Sequence, residues 1–268
     1  MRYGIVARID NKEAISTSKK IVNYLKGTSN TVIVESNLAK IIGTRGVPLS
    51  KMRPDIIISI GGDGTILRTI QKCRAKLFGI KIGVVGFLAE IEPPETIKSL
   101  KRILKGDYII DKRIKLKTLL NGKRLHDAIN EIVLHSTQIV KMKHFEILVN
   151  GAIVKRIRAD GLIVATPTGS TGYAMSVGSP ILDPKLSAFV ILPIASFNMS
   201  ARPIVVPSDS EIEIKVLDDK PTLLVIDGQY KRKLKKEDRL VFTISEYCAE
   251  FIRFENDFYK KVDILRVL

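Results

Sequence analysis

The stretch that decides the fold runs Pro54-Asp55-Ile56-Ile57-Ile58-Ser59-Ile60-Gly61-Gly62-Asp63-Gly64-Thr65. Its unbroken apolar run is the pattern of a central parallel strand covered on both faces, rather than the alternation of a half-exposed one. After the glycines, Ile66, Leu67, Ile70 and Cys73 recur at helical spacing, so the glycines mark a strand-to-helix turn. Such a turn lets backbone N–H groups approach a polyanion closely, and the positive end of the following helix adds to the attraction. An aspartate in that cradle repels phosphate. Asp63 therefore has two readings: a group that handles a proton or a metal ion arriving with the phosphates, or the N-cap of a tight turn. The pattern supports both.

Upstream, Tyr3 to Ile9 reads as a strand, Glu13 to Leu25 as a helix with Ile15, Ile21, Val22 and Leu25 on one face, and Thr31 to Glu35 as another strand. Downstream, Leu77 to Val85 reads as a strand, and Pro93-Pro94 starts a helix through Ile97, Leu100, Ile103 and Leu104. Alternating strands and helices predict a Rossmann-like parallel sheet over residues 1–110. Beyond Tyr108 the texture changes to alternating strands with Asn121-Gly122 and Asn150-Gly151 as hairpin signals. Later strands are read at Phe189 to Leu192, Glu211 to Val216, Thr222 to Ile226 and Arg239 to Ser245. A β-rich, β-sandwich-like domain is expected over 111–250, with the apolar tail 251–268 docking back on the first.

The 268 residues are 45% hydrophobic and 27% charged, which excludes whole-chain disorder. Lys and Arg number 44 against 28 Asp and Glu, a net +16. That surface attracts polyanions, but the bases are scattered, Trp is absent and aromatics are only 6%, so no stacking platform accompanies the charge and nucleic acid is not the expected partner. Cys73 and Cys248 fit neither a disulfide framework nor a zinc spacing. MRYGIVARID meets an aspartate too early for a secretory segment, and no apolar run approaches the ~18 residues of a membrane span, so a cytoplasmic protein is expected.

A second chemical segment runs Arg158-Ala159-Asp160-Gly161-Leu162-Ile163-Val164-Ala165-Thr166-Pro167-Thr168-Gly169-Ser170-Thr171-Gly172-Tyr173. This strand opens into hydroxyls and glycines able to hydrogen-bond an adenine edge, a ribose or an amide. It is not a Walker A loop, and Thr168 stands where a nucleophile elbow needs glycine. His126, His135 and His144 are read as structural. Taken with GGDGT, with Asn130-Glu131 and with Asp227-Gly228-Gln229, the segment resembles NAD kinase in its bacterial and archaeal short form.

The resemblance implies an ATP- or polyphosphate-dependent, Mg²⁺-assisted transfer of phosphate to the adenosine ribose 2′-hydroxyl of NAD. Asp63 matches the proton acceptor, with Gly61, Gly62, Gly64, Thr65 and Arg68 near the phosphates. Asn130 and Glu131 match the pair that reads adenine and ribose, and Thr168 and Thr171 complete the adenine pocket. Gly172, Tyr173, Ala174, Met175 and Ser176 follow in the same binding segment. Arg158, Asp160 and Ala195 match positions around the nicotinamide half, which in the family often lies against a neighbouring subunit; Gln229 matches a further NAD contact. A homo-oligomer, dimer or tetramer, is implied, with the reaction between the two domains.

Three departures stand out. Lys81 replaces the usual asparagine of Gly79-Ile80-Lys81-Ile82-Gly83-Val84-Val85-Gly86-Phe87-Leu88, as either a cation near phosphate or a solvated side chain. The stretch Phe197-Asn198-Met199-Ser200 lacks the histidine common before SxRP, and Gly172 replaces a common alanine. A lipid kinase is the enzymatic alternative, disfavoured because TPTGSTGY has no use against an acyl chain and no exposed amphipathic membrane helix is evident. A non-catalytic nucleic-acid binder would account for the charge but not for Asp63. Tyr173 and Ala195 also admit a reading as core positions.

Overall fold

A computed structural model of the chain describes residues 1–83, 86–138, 141–197, 201–219, 221–236, 238–255 and 258–264. Strands and helices alternate at first: β1 (Arg2–Ala7), α1 (Lys12–Lys26), β2 (Thr31–Glu35), α2 (Ser36–Ile42), β3 (Gly46–Val47), β4 (Ile56–Gly61), α3 (Asp63–Lys72), β5 (Lys76–Lys81), α4 (Thr96–Leu104) and β6 (Ile109–Arg113). Strands then dominate: β7 (Leu116–Leu120), β8 (Lys123–Arg124), β9 (Glu131–Ser136), β10 (Lys143–Val149) and the long β11 (Ala152–Ala165). After a short helix, α5 (Tyr173–Ser176), come β12 (Ala188–Ser196), β13 (Ile204–Pro207), β14 (Ile212–Val216), β15 (Thr222–Ile226), β16 (Tyr230–Leu234), β17 (Arg239–Ile244), β18 (Ala249–Arg253) and α6 (Phe258–Ile264). The chain divides into two compact units, Met1–Lys112 with Ala249–Leu268, and Arg113–Cys248.

The first unit holds a seven-stranded sheet in the order β3-β2-β1-β4-β5-β18-β6. The pairings from β3 through β18 are parallel. The order reverses direction at β1 and β4, the topological switch point at which open α/β sheets place ligands beyond the carboxyl ends of their strands. GGDGT leaves β4 at that edge. Both faces of the strand are covered: Ile56, Ile58 and Ile60 join Ile5, Phe78 and Ile80 in one core, closed by Ile21 and Leu25 of α1 and Leu100 and Ile103 of α4, while Ile57 and Ser59 are buried on the other face. Two strands stop earlier than their apolar runs. β1 ends at Ala7, where Arg8 and Asp10 pair in an exposed turn at 2.8 Å. β5 ends at Lys81, after which the Ile82 N–H turns to the Gly61 carbonyl and Gly83 takes φ +107°. Val84 and Val85 lie outside the described residues.

The second unit is built on an eleven-stranded sheet, β16-β15-β9-β11-β10-β14-β17-β7-β8, with β12 paired to β11 and β13. Its strand pairs are antiparallel. Asn121-Gly122 and Asn150-Gly151 make its hairpin turns with φ positive at both residues of each, the conformation that suits two-residue turns to strand twist. β11 pairs with β10 along Ala152–Ala159 and with β9 and β12 beyond it. In that second half Leu162 and Val164 enter the main core, while Ile163 and Ala165 enter a smaller one with Val190 and Leu192. Both faces are covered, which explains the continuous GLIVA run.

Gly161 is required at the point where β11 changes partners, since a Cβ there meets the Leu134 carbonyl oxygen at 2.5 Å and Ile194 Cδ1 at 2.9 Å. Gly161→Ala is expected to cost about 1–3 kcal/mol through forced shifts in this packed sheet. Thermal unfolding followed by circular dichroism reads the loss as a lower Tm; an unchanged Tm contradicts the close packing.

Candidate active site

In the first unit, the site grows from the end of β4. Gly61 cannot carry a side chain, because its Cβ falls 2.5 Å from Thr65 Oγ1. Gly62, extended at φ −83° and ψ −179°, is the N-cap of α3, and its carbonyl accepts the Thr65 N–H at 2.9 Å. Asp63 is therefore the first helical residue and not the cap, which removes the N-cap reading. Helix geometry leaves the first amides of α3 without intrahelical acceptors, directed outward with the positive end of the helix dipole.

The Asp63 carboxylate is turned to a strap of chain after β5. Its Oδ2 accepts the Phe87 N–H at 2.9 Å and its Oδ1 the Leu88 N–H at 3.2 Å. Burial pushes the carboxyl above its ordinary range, while those two amides, Lys261 and Arg253 pull it back. A carboxylate has about four lone-pair positions, so each oxygen keeps capacity for a further donor. Arg68 follows one turn later on α3, half-buried. Lys81 is neither a free cation nor simply solvated: its Nζ pairs with Glu92 at 2.9 Å.

In the second unit, Asn130 and Glu131 stand where β9 begins beside the end of β11, with Glu131 opposite Ala165. Asp227, in the turn between β15 and β16, holds them from behind. Its carboxylate accepts the N–H groups of Ile129, Asn130 and Glu131 at 2.9, 2.8 and 3.2 Å, and its own N–H donates to the Glu131 carbonyl at 3.0 Å. The 166–172 segment folds against the pair. Thr166 N–H donates to the Asn130 carbonyl at 2.9 Å, and a Cβ on Gly169 would fall 2.0 Å from that same oxygen. Asn130 Oδ1 and Glu131 Oε2 are buried with no hydrogen-bond partner among the described residues. Burial first, and the Asp227 charge second, push the Glu131 carboxyl up to about 8, against a backbone hydrogen bond from Tyr173. Two neighbouring buried oxygens without partners are what a ligand with hydrogen-bonding groups satisfies.

Both units match known families. Residues 3–108 match the ATP-NAD kinase N-terminal domain and residues 129–254 the ATP-NAD kinase C-terminal domain. The chain is 41% identical to the NAD kinase of Methanothermobacter thermautotrophicus over 98% of its length and 95% of that protein's. The chain belongs to the NAD kinase family. A solved NAD kinase from Archaeoglobus fulgidus in complex with ATP is 30% identical, covers both chains fully and superposes with a TM-score of 0.82. Yeast NADH kinase complexed with NADH has the same fold at a TM-score of 0.93, 23% identity and coverage of 100% of this chain and 88% of that one. The lipid-kinase and nucleic-acid-binding alternatives are not favoured.

In this NAD kinase family member the backbone at Gly172 and Tyr173 lies against Asn130 and Glu131, directly after the Thr168–Thr171 turn. Thr168 is buried, with Oγ1 accepting from Arg113 at 3.4 Å, and Thr171 donates to the Thr168 carbonyl at 3.1 Å. Ser170 donates to the Pro167 carbonyl at 2.7 Å, so its hydroxyl closes the loop. The Ala174 side chain packs into the small core, which leaves only its backbone for a ligand; Met175 is half-buried and Ser176 exposed. Arg158, Asp160 and Ala195 sit together further along β11 and β12. The Phe197 N–H donates to the Arg158 carbonyl at 2.9 Å, and the Arg158 guanidinium lies 5.2 Å from the Phe197 ring centroid. Tyr173 and Ala195 are exposed and not core; Ala195 holds φ +46°, a left-handed conformation of the kind stored at functional sites. Asn198, Met199 and Ser200 lie outside the described residues. Gln229 is exposed on the Asp227 turn. His126 packs on Tyr230, His135 bonds the Ser136 carbonyl and His144 pairs with Asp218.

Sequence reasoning quoted Asp227 within its motif but gave it no task, and it passed over Phe87, Leu88 and Arg113 as functional groups. The signal for Asp227 was an acid preceding glycine in a turn, a type suited to bonding neighbouring amides.

A pKa of about 8 in the fold against an ordinary value near 4.5 means that the folded chain holds the Glu131 proton more tightly than the unfolded one. Below pH ~4.5 both states are protonated and no penalty exists; it grows by about 1.4 kcal/mol per pH unit until the folded group ionises near 8. Glu131→Gln should gain stability relative to the natural chain as pH rises from 5 to 8. Denaturant unfolding at several pH values measures this, and a constant difference between the two proteins contradicts it.

Proposed function

We propose that this chain transfers the terminal phosphoryl group of ATP, or of another phosphoanhydride such as polyphosphate, to the 2′-hydroxyl of the adenosine ribose of NAD, giving NADP. The observation that carries the reading is Asp63: a carboxylate at the mouth of a phosphate turn, gripped by two strap amides and pushed upward by burial. A repulsive group in that place has a use if it receives a proton. The 2′-oxygen bonds to the γ-phosphorus, the bond from that phosphorus to the bridging oxygen breaks, ADP leaves, and the hydroxyl proton passes to Asp63. Burial makes the carboxylate a better base, and the amides keep it ionised enough to serve.

Gly61, Gly62, Gly64 and Thr65 supply the backbone cradle and Arg68 a balancing charge. Asn130 and Glu131 supply acceptors for the adenine amine and the ribose hydroxyls, with Thr168 and Thr171 beside them and Tyr173 against the dinucleotide. Arg158, Asp160, Ala195 and Gln229 are assigned to the rest of NAD. Phosphoryl transfer is mostly alignment and neutralisation of charge, so these groups need little covalent chemistry. Mg²⁺ fits as an ion carried by the donor's phosphates: among the described residues no group of three or more His, Cys, Asp or Glu could cage it. When bound, it neutralises phosphate charge. The +16 surface assists by drawing phosphoanhydrides in. Among the described residues no helix is long and apolar enough to cross a membrane. A cytoplasmic homo-oligomer is the setting we assign.

Gly64 separates fold from function. It is exposed, its φ is not positive, and beyond its own turn of helix no described atom lies within 4 Å of where a Cβ would stand. Gly64→Ala should therefore keep or raise Tm, by up to ~1 kcal/mol of stability, while lowering kcat/KM for the phosphate donor. Asp63→Asn should lower kcat by roughly 10²–10⁴. NADP formed from NAD, Mg²⁺ and each donor, read with an NADP-specific dehydrogenase, decides both; an intact rate in Asp63→Asn refutes the mechanism.

A further inference from the structure

The peptide between Ala89 and Glu90 is pinned on both sides. Its N–H, from Glu90, donates to the Gly79 carbonyl of β5 at 2.9 Å. Its carbonyl, from Ala89, accepts Arg253 Nη1 at 3.1 Å and Lys261 Nζ at 2.7 Å. The Glu90 side chain closes a second ring of contacts, with Oε2 on Arg253 at 3.0 Å and Oε1 on the Phe254 N–H at 2.6 Å. Arg253 also reaches Asp111 at 3.5 Å. Arg253 and Glu90 side chains are each only 5% exposed, so the pair is shielded from bulk solvent.

We propose that Arg253 and Lys261 are positioning residues for the phosphoryl transfer: by fixing the Ala89 carbonyl they set the strap whose Phe87 and Leu88 amides hold the Asp63 carboxylate. The inference rests on the reading of Asp63 as proton acceptor. It extends that reading to β18 and α6, nearly two hundred residues later in the sequence. Two cations on one carbonyl are more than the strap needs for a turn, since a single neutral donor satisfies a buried carbonyl. What the cations add is charge beside a carboxylate that burial would otherwise neutralise.

The charged groups around the strap come from several elements, and Glu95 and Lys260, which pairs with Glu255 at 3.4 Å, line the same cavity. Lys261 comes from α6, Arg253 from β18 with Glu90 and Asp111 as its partners, Lys81 from β5 with Glu92 as its partner, and Arg68 from Asp63's own helix. Lys81, Gly86, Ala89, Glu92 and Lys261 share one cavity lining. Lys261 and Arg253 both favour ionised Asp63. Their loss moves Asp63 toward its protonated form, and a general base is then lost at a higher pH.

Lys261 is half-exposed, so its variants are suited to the test. The Asp63 carboxyl is titrated by ¹³C NMR in the full chain without substrates, its signal assigned by Asp63→Asn, and kcat for NADP formation is followed against pH. Lys261→Met should raise the Asp63 midpoint and move the acid limb of kcat to higher pH, so that kcat falls roughly threefold more at pH 5.5 than at pH 8.5. KM for NAD should stay unchanged. Lys261→Arg, which keeps charge and donor, should restore both midpoint and limb. An unmoved midpoint in Lys261→Met, or a Lys261→Arg chain that titrates like Lys261→Met, overturns the proposal. If the natural chain forms no NADP with any donor, the proton-acceptor reading fails and this role in the transfer falls with it, whereas a failure confined to the Lys261 variants leaves that reading standing.

Discussion

A carboxylate taken out of water must be given donors or it takes up a proton, and the fold meets that constraint differently at three positions. Asp227 receives three backbone amides and carries structure: it ties the start of β9 to the turn after β15. Asp63 receives two amides with two cations nearby, and its carboxyl rises above the ordinary range while keeping ionising help. Glu131 has Asp227's charge beside it and one oxygen without a described partner, and it rises to about 8. The more fully an acid is satisfied by the fold, the less it has left for a ligand. Ranked by that measure, Asp227 is a brace, and Asp63 and Glu131 are groups with unused capacity.

The two sheets exist to hold these acids at strand ends. In the first unit a parallel sheet buries β4 from end to end, so its terminus is held firmly where the glycines begin. In the second, β11 serves β10 along one half and β9 with β12 along the other, which brings the 166–172 segment onto Asn130. Neither arrangement depends on the loop chemistry itself. The loops inherit precision from strands whose both faces are buried.

Much of this was legible from local pattern. The run DIIISI, the glycine turn after it and the two Asn-Gly hairpins each fix their structure within a few residues, so the change from parallel α/β to antiparallel β was readable near Tyr108. The candidate site residues come from motifs and not from periodicity. What could not be read is whatever depends on partners distant in sequence: Asp63 bonding Phe87 and Leu88, Asp227 bonding Ile129 to Glu131, and Arg253 reaching Ala89. Periodicity shows which face of an element is buried, and it is silent on which distant amide a carboxylate will meet. Lys81 illustrates the limit, since only the return of the chain at Glu92 decides its partner.

The departure at Gly172 gains meaning from the same geometry. In the sequence it is only a missing methyl. In the structure a Cβ there meets Glu131 Oε2 at 2.8 Å and Asn130 Nδ2 at 3.1 Å. The oxygen it would press is the one left without a described partner. An alanine at this position must push the Glu131 carboxyl aside, whereas glycine leaves it room to turn toward a donor. The glycine thus bears on Glu131's orientation, and the acid whose carboxyl the fold pushes up to about 8 is the one whose Oε2 it leaves unobstructed.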